Sequence, residues 1–236
     1  MKETNLEQVK GTAKALFLAV PIEPHPKYPF ICQHPFTTNT YGMVLKDKIP
    51  QMVKYTEKEG YEYFKKQIFD LIDKAKKPFD ILMLLNKAYY MTFLNYTEEF
   101  LSKEDLGTLL NTCWIHEEFP NRDKNITLKK SISLFKKASP NTLMDEEDLN
   151  TLNKLKAQAD EKGLTIYRGI SGSGKENGLS WTTNKEKAEW FSKRFDCPNP
   201  KVLEKTIHDS KLILAYFDNR NEQEIILDTF RCKESS

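Results

Sequence analysis

The stretch that decides the fold begins near residue 163, where long helical periods give way to short β-like runs. It contains LTIYRG at residues 164–169, GLSWTTN at 178–184 and NEQEIILD at 221–228. Short runs rich in β-branched and aromatic residues and bounded by Gly, Asn or Asp are typical of strands. These runs therefore predict a sheet in the last third of the chain.

Each of the three runs also carries a polar group in an apolar setting. These groups are Arg168, Ser180 and the carboxylate pair Glu222 and Glu224. An ionised side chain in a half-buried strand is costly unless another group pairs with it. We therefore expect the guanidinium, the hydroxyl and the two carboxylates to meet around a charged ligand.

In this order the three runs resemble the arginine–serine–glutamate class of mono-ADP-ribosyltransferases. That family has an aromatic-Arg strand, a Ser-x-Thr strand and a Glu-x-Glu strand, which correspond here to YR at 167–168, SWT at 180–182 and EQE at 222–224. The run from Gly178 to Phe195 is also similar to small phage- and prophage-encoded members. The resemblance implies a C-terminal β-sandwich module of the ADP-ribosyltransferase type, with NAD as co-substrate and no metal.

The resemblance assigns the NAD-binding residues to the first strand. Arg168 would bind the pyrophosphate, because a guanidinium meets phosphate oxygens in a fork. Gly169 would let the backbone approach the nicotinamide carboxamide, since glycine lacks a Cβ. Tyr167 would pack beside the ligand, with its hydroxyl within reach of it.

The second and third strands would supply the catalytic groups. Glu224 would lie beneath the ribose and oppose the positive charge that develops there. Ser180 would hold Glu224 by a hydrogen bond, and Thr182 would line the cofactor site on the same strand face. Glu222 would share a face with Glu224 if the segment is extended, and would take the proton of the acceptor.

The predicted function is transfer of ADP-ribose from NAD to a side chain of a host or partner protein, with release of nicotinamide. In the family, Glu-x-Glu accompanies arginine acceptors, so Glu222 makes arginine the first expectation. Two alternatives stay open. The protein would be an NAD glycohydrolase toxin if water is the acceptor, or a non-catalytic binding or inhibitor protein if the fold is kept without activity.

The amino-acid composition limits the kinds of partner and environment that we expect for this protein. There are 36 Lys and Arg against 34 Asp and Glu, so the net charge of +2 gives no reason to expect nucleic acid. Four scattered cysteines favour a reduced protein. The apolar run from Ala13 to Val20 is too short to span a membrane. We therefore expect a cytoplasmic protein of the producing or infected cell, with no membrane partner.

The sequence predicts an α+β protein of two domains. Residues 1–162 are expected to form a helical domain, with one helix over Ile81–Leu101. Residues 21–50 are expected to form an ordered loop or short extended pieces, because this segment holds Pro21, Pro24, Pro26, Pro29, Pro35 and Pro50. Residues 163–236 would form the NAD-binding module. Its strands are predicted at 165–168, 179–182, 202–207, 212–217 and 224–228, with a helix over 184–195 that Thr183 and Glu186 would cap.

Other signals predict structure rather than chemistry. GISGSGK at 169–175 is similar to most of a P-loop, but Glu176 replaces the Ser or Thr that would hold magnesium, so a flexible glycine loop is the preferred interpretation. His25, Cys32 and His34 do not have the spacing of a zinc site. Trp190 and Phe191 are expected in the core. Glu117 and Asn121 are weaker candidates for lining the cleft.

Overall fold

A computed structural model describes residues 2–46, 48–116, 125–172, 174–194, 196, 198–219 and 221–231. The chain divides into two compact units. The N-terminal unit comprises Met1–Asp105 and Thr112–Asn125, and the C-terminal unit comprises Leu106–Asn111 and Ile126–Ser236. No helix in the described ranges is both long and apolar enough to cross a membrane.

The N-terminal unit is mainly helical. The Asn5 side chain accepts the Gln8 N–H and so begins the first helix, and Pro78 supplies a preset φ at the start of the third. The helices are α1 (Leu6–Ala19), α2 (Lys58–Lys74), α3 (Pro78–Leu82), α4 (Tyr90–Thr97) and α5 (Lys103–His116); residues Leu106–Asn111 of α5 belong to the C-terminal unit.

The prediction of one helix over Ile81–Leu101 is wrong. Helix α3 ends at Leu82, a 3-10 turn follows at Lys87–Tyr89, and α4 then begins. The cause is Asn86, whose backbone N–H donates to the Pro35 carbonyl at 2.7 Å and whose side-chain amide donates to the His34 carbonyl at 2.5 Å. An N–H that is bonded to a distant loop is lost to the helical ladder.

The proline-rich segment forms two short hairpins, as expected of extended pieces. Strands β1 (Ile31–His34) and β2 (Thr37–Asn39) pair with each other, and so do β3 (Tyr41–Lys46) and β4 (Ile49–Lys54). His34 is buried at the end of β1, where its ring meets Phe17 edge to face with centroids 4.7 Å apart. This histidine is part of the aromatic core of the unit.

The C-terminal unit contains a five-stranded antiparallel sheet with the strand order β7-β5-β6-β9-β8. Its strands are β5 (Leu164–Ile170), β6 (Ser180–Thr182), β7 (Lys201–Ile207), β8 (Ile213–Phe217) and β9 (Glu224–Leu227). Helices α6 (Leu128–Lys137), α7 (Pro140–Leu143) and α8 (Glu146–Lys162) precede the sheet, and α9 (Lys185–Lys193) lies between β6 and β7 in sequence. The five predicted strands and the α+β class are confirmed.

Two features of this unit differ from the expectation. Its described strands form one sheet with helices packed on it, whereas a β-sandwich would need a second sheet. The unit also begins well before residue 163, because α6 and α8 belong with the sheet. The rings of Phe135 and Phe217 lie 6.4 Å apart, and the Met144 sulfur accepts the Tyr216 N–H at 3.4 Å. The predicted boundary followed the change from helical to strand pattern, which does not report on packing.

Candidate functional site

The three strands that carry the predicted site are adjacent in the sheet. Strand β6 lies between β5 and β9, and Thr182 is opposite Tyr167 on one side and Glu224 on the other. Residues that pair across strands project to the same face. Tyr167, Thr182 and Glu224 therefore form one row across the sheet, and Ser180 lies on the same face, two residues from Thr182.

Arg168 follows Tyr167, so its Cβ is directed toward the other face, but its guanidinium lies between β5 and β6, where the charge of Glu224 acts on it. Its Nη1 donates to the Ser180 carbonyl at 2.5 Å. A Cβ added to Gly178 would lie only 2.0 Å from Nη2, so the guanidinium is in close contact with the Gly178 backbone. Strands β5 and β6 have one registered pair, Tyr167 with Thr182. The guanidinium thus satisfies a carbonyl that a longer ladder would have used.

The electrostatics of Arg168 depend on burial and on Glu224. Burial lowers the pKa of Arg168 to about 10, and the negative charge of Glu224 opposes that shift. The side chain is therefore cationic at neutral pH. Its Nε atom is buried and has no hydrogen-bond partner within the part of the chain that the structure describes. A buried donor without a partner is costly, which is the kind of defect that functional sites retain.

The register changes the expected role of Ser180. Ser180 pairs with Ile226, and the residue directly opposite Glu224 is Thr182. Ser180 is thus a diagonal neighbour of Glu224 on the same face, at a separation of roughly 7–8 Å between backbone positions. A glutamate side chain spans such a diagonal, so Ser180 stays a candidate partner of Glu224 without being its cross-strand partner.

Thr182 has a structural role that the sequence did not indicate. The side chain is buried, and its hydroxyl donates to the Glu222 carbonyl at 2.8 Å and accepts the Asn184 N–H at 3.0 Å. Both of its hydrogen bonds therefore go to the backbone. The hydroxyl thereby fixes the start of β9 and the approach to α9, and the contact of Thr182 with the cofactor stays a prediction.

Helix α9 packs so closely against position 169 that only glycine fits there. An added Cβ would lie 1.9 Å from the Ala188 carbonyl oxygen and 2.7 Å from the Ser192 nitrogen, so the backbone of α9 lies directly against it. The helix occupies this face of Gly169, and the contact of the Gly169 amide and carbonyl with the nicotinamide carboxamide stays a prediction. Tyr167 on the same face is half-buried, with the Lys185 ammonium 5.8 Å from its ring centroid.

Glu222 lies in the turn between β8 and β9, described for residues 218, 219 and 221–223 and called here the β8–β9 turn. Its two neighbours are left-handed, with φ of 52° at Asn221 and 49° at Gln223. Strand β9 begins at Glu224, so the expectation that Glu222 and Glu224 lie in one extended segment is wrong. Glu222 is instead presented by a turn, which gives it a direction independent of the strand face.

Hydrogen bonds hold this turn at several points. The Asp218 carboxylate accepts the Gln223 N–H at 3.0 Å, and the Asp218 carbonyl accepts the Asn221 N–H at 2.8 Å. The Thr183 hydroxyl donates to the Gln223 side-chain oxygen at 3.0 Å. Thr183 is therefore committed to the turn, and the predicted cap of α9 at Thr183 is wrong. Asn184 caps the helix by accepting the Lys187 N–H.

A cavity of about 480 Å³ lies in the same unit but not beside the carboxylates. It is lined by Trp181, Leu203 and Leu227, with Glu176, Asn177, Glu204, Lys205 and Thr229. Both Leu203, which is opposite Arg168 in the ladder, and Glu204, which is opposite Tyr167, line it. Neither Glu222 nor Glu224 is among its lining residues.

The remaining sequence signals have structural explanations where they are described. Both ring nitrogens of His34 are bonded to backbone, Nε2 to the Phe17 carbonyl and Nδ1 to the Phe36 N–H. Among the described residues no His, Cys, Asp and Glu side chains form a metal-binding group. Trp190 is 54% exposed, so its predicted place in the core is wrong, while Phe191 is half-buried.

Among the described residues, no helix follows the P-loop-like segment directly. Strand β5 ends at Ile170, and the next regular element is β6. Glu176, at the position where a P-loop needs Ser or Thr, pairs with Lys201 at 2.5 Å. Ser173 within this segment, like Glu117 and Asn121, lies outside the described residues.

Comparison with known proteins adds no assignment to this geometry. No protein-family model, curated protein or solved structure matches the chain. The resemblance to ADP-ribosyltransferases therefore depends on the residues of the three strands. Chemically, these strands offer a buried guanidinium, a carboxylate within its electrostatic range and a second carboxylate on a strained turn.

Proposed function

We propose that this protein is a mono-ADP-ribosyltransferase that transfers ADP-ribose from NAD to a protein side chain, arginine first. The observation that carries the proposal is the adjacency of β5, β6 and β9, with the Glu224 charge acting on the buried Arg168 guanidinium. The two groups are 56 residues apart in sequence, and an apolar sheet has no structural need for such a pair. A dinucleotide with an anionic pyrophosphate and a ribose that becomes cationic matches both charges.

Each residue of the candidate site has its own role in the proposed reaction. Arg168 binds the pyrophosphate, and its Nε is a donor for which the described residues offer no acceptor. As the bond between nicotinamide and ribose C1 breaks, the leaving nicotinamide takes the bonding electrons and Glu224 stabilises the positive ribose. The acceptor nitrogen then bonds to C1, and Glu222 takes the proton that this nitrogen loses. Ser180 orients Glu224 from the neighbouring strand.

The turn geometry favours transfer to a macromolecule over hydrolysis. Water needs no guided approach, whereas a guanidinium of another protein must be desolvated and deprotonated at a fixed point. Glu222 is half-buried and set between two left-handed residues, so it is directed independently of Glu224. The acceptor proposed here is therefore a side chain of a host or partner protein.

The test is incubation of the protein with tagged NAD and cell extract, with nicotinamide release measured in parallel. We expect labelling that Glu224→Gln abolishes together with nicotinamide release. Glu222→Gln should abolish labelling but leave slow nicotinamide release, because it removes only the base. Glu204→Gln is the matched control, since Glu204 is an exposed carboxylate opposite Tyr167 in the same sheet.

Each outcome separates the alternatives. Nicotinamide release without any labelled macromolecule would replace transfer by hydrolysis. A biological effect that survives Glu224→Gln, with no release of nicotinamide, would indicate a binding or inhibitor protein. Absence of heat on titration with NAD would end the assignment of NAD itself.

A further inference from the structure

A carboxylate on α8 holds the start of the β8–β9 turn. Asp148 is 6% exposed, and its Oδ1 accepts the Asp218 N–H at 3.2 Å. Asp148 lies in the first turn of α8, where the side chain of the N-cap residue Asp145 accepts the Asp148 N–H at 2.8 Å. The helix is thereby fixed at its N-terminus, and it presents the Asp148 side chain to the end of β8.

The hydrogen bond from the Asp218 N–H to Asp148 affects the whole β8–β9 turn. The Asp218 carboxylate accepts the Gln223 N–H, and its carbonyl accepts the Asn221 N–H. Asp218 therefore bridges the two ends of the turn that contains Glu222. If the Asp218 backbone moves, both bonds that define the turn move with it.

We propose that Asp148 is a positioning residue, which acts through Asp218 to fix the β8–β9 turn and so directs Glu222 and Glu224. This inference depends on the proposed function for its chemistry, but its structural part is independent of it. Sequence reasoning did not find Asp148, because its partner is 70 residues away. The acids in the first turn of α8 suggest only a favourable interaction with the helix dipole.

The surroundings of Asp148 make the anchor sensitive to pH. The groups that face it are Asp145 and Glu147 from α8 and Asp218 and Tyr216 from β8 and its end. The pKa of Asp148 is raised to about 6, chiefly by burial and also by the neighbouring carboxylates, while the hydrogen bond from the Asp218 N–H opposes the shift. Above pH 6 the carboxylate is ionised and is the stronger acceptor for the Asp218 N–H. Below pH 6 the neutral acid holds the turn less firmly.

The experiment compares Asp148→Ala, Asp148→Asn and a control on the same helix. The control is Asp160→Ala, because Asp160 also accepts a backbone N–H, that of Ser210 at 2.8 Å, at a place remote in the chain from the turn. Amide exchange of Asp218 and Gln223 is measured by NMR at one pH, and kcat and the KM for NAD are measured from pH 5 to 8. Exchange reports local opening without needing activity.

We expect Asp148→Ala to speed exchange at both amides about tenfold or more and to lower kcat roughly 10- to 100-fold, with little change in KM for NAD. Asp148→Asn retains an acceptor oxygen, so it should restore most of kcat at pH 7.5 while losing the inflection near pH 6. Asp160→Ala should change neither amide and should retain the inflection.

The inference is overturned if Asp148→Ala leaves exchange of both amides at the wild-type rate, or if the loss appears in KM for NAD rather than in kcat. An inflection near pH 6 that persists in Asp148→Asn would also overturn the pH dependence. If the wild-type protein neither labels a target nor releases nicotinamide, the proposed function fails. In that case the exchange rates alone decide whether Asp148 anchors the turn.

Discussion

Replacing Gly178 by alanine is the sharpest test of how Arg168 is held. The new Cβ would lie 2.0 Å from Nη2, so the guanidinium must retreat to at least 3.4 Å, a shift of about 1.4 Å. Gly178 itself is not free to yield, because its carbonyl accepts the Trp181 indole N–H at 3.0 Å. A shift of that size breaks the 2.5 Å bond from Nη1 to the Ser180 carbonyl.

The expected cost follows from that bond. A hydrogen bond to a charged group contributes roughly 1.5–3 kcal/mol, so Gly178→Ala should lower the free energy of unfolding by about that amount. If Arg168 binds the pyrophosphate as proposed, the displaced guanidinium should also weaken NAD binding by about 10- to 100-fold, because the fork would no longer be aligned with the phosphate. Urea unfolding followed by circular dichroism measures the first effect, and titration calorimetry with NAD measures the second.

Gly11→Ala is the control for adding a methyl group. Nothing lies within 4 Å of a Cβ at Gly11, which is inside α1, and alanine is the better helix former, so this variant should not be destabilised. Wild-type stability in Gly178→Ala would refute the contact between Gly178 and Arg168. A loss of stability with unchanged NAD affinity would refute the role of Arg168 as the phosphate ligand.

Two further predictions concern packing and pH. Gly169→Ala should destabilise the protein by roughly 1–3 kcal/mol, because its Cβ would meet the Ala188 carbonyl oxygen at 1.9 Å and backbone cannot give way as a side chain can; a wild-type melting temperature would contradict this. Burial lowers the pKa of His34 below 6.5, although the bond to the Phe17 carbonyl opposes the shift. A base with a lowered folded pKa stabilises above its unfolded pKa, and this stability is lost as the pH falls below 6.5. Urea unfolding between pH 7.5 and 5 should show the loss, and His34→Gln should flatten it; equal slopes in both proteins would exclude His34.

The strands were predictable because their signal is local. Each lies within two residues of its predicted bounds, since apolar β-branched runs between turn residues need no distant partner to be recognised. The single helix over Ile81–Leu101 failed for the opposite reason. Its apolar period is helical, but Asn86 bonds to the Pro35 carbonyl, which no local pattern records. The cap of α9 failed similarly, because Gln223 engages the Thr183 hydroxyl.

The sequence predicted the residues of the candidate site but not the residues that hold them in position. Order and residue type placed Arg168, Ser180 and Glu224 on three strands, and the structure makes those strands neighbours. The contacts that position them come from residues without a sequence signal. Gly178 looks like an ordinary turn glycine, and Asp148 looks like an ordinary first-turn acid. Both gain their roles only through partners that the fold brings to them.

The backbone strain and the hydrogen bonds of the β8–β9 turn support a functional role for Glu222. Gln223 in the left-handed region costs roughly 1–2 kcal/mol, and Asn221, whose residue type adopts this region more readily, adds a smaller cost. The bonds from Gln223 N–H to Asp218, from Thr183 to Gln223 and from Thr182 to the Glu222 carbonyl return about 1 kcal/mol each, so they merely offset that strain. Glycine at position 221 would relieve part of the strain without removing any of these three bonds. A turn that is both strained and fixed on each side of one carboxylate is the arrangement expected where the direction of that carboxylate matters, and this supports Glu222 as the group that meets the acceptor.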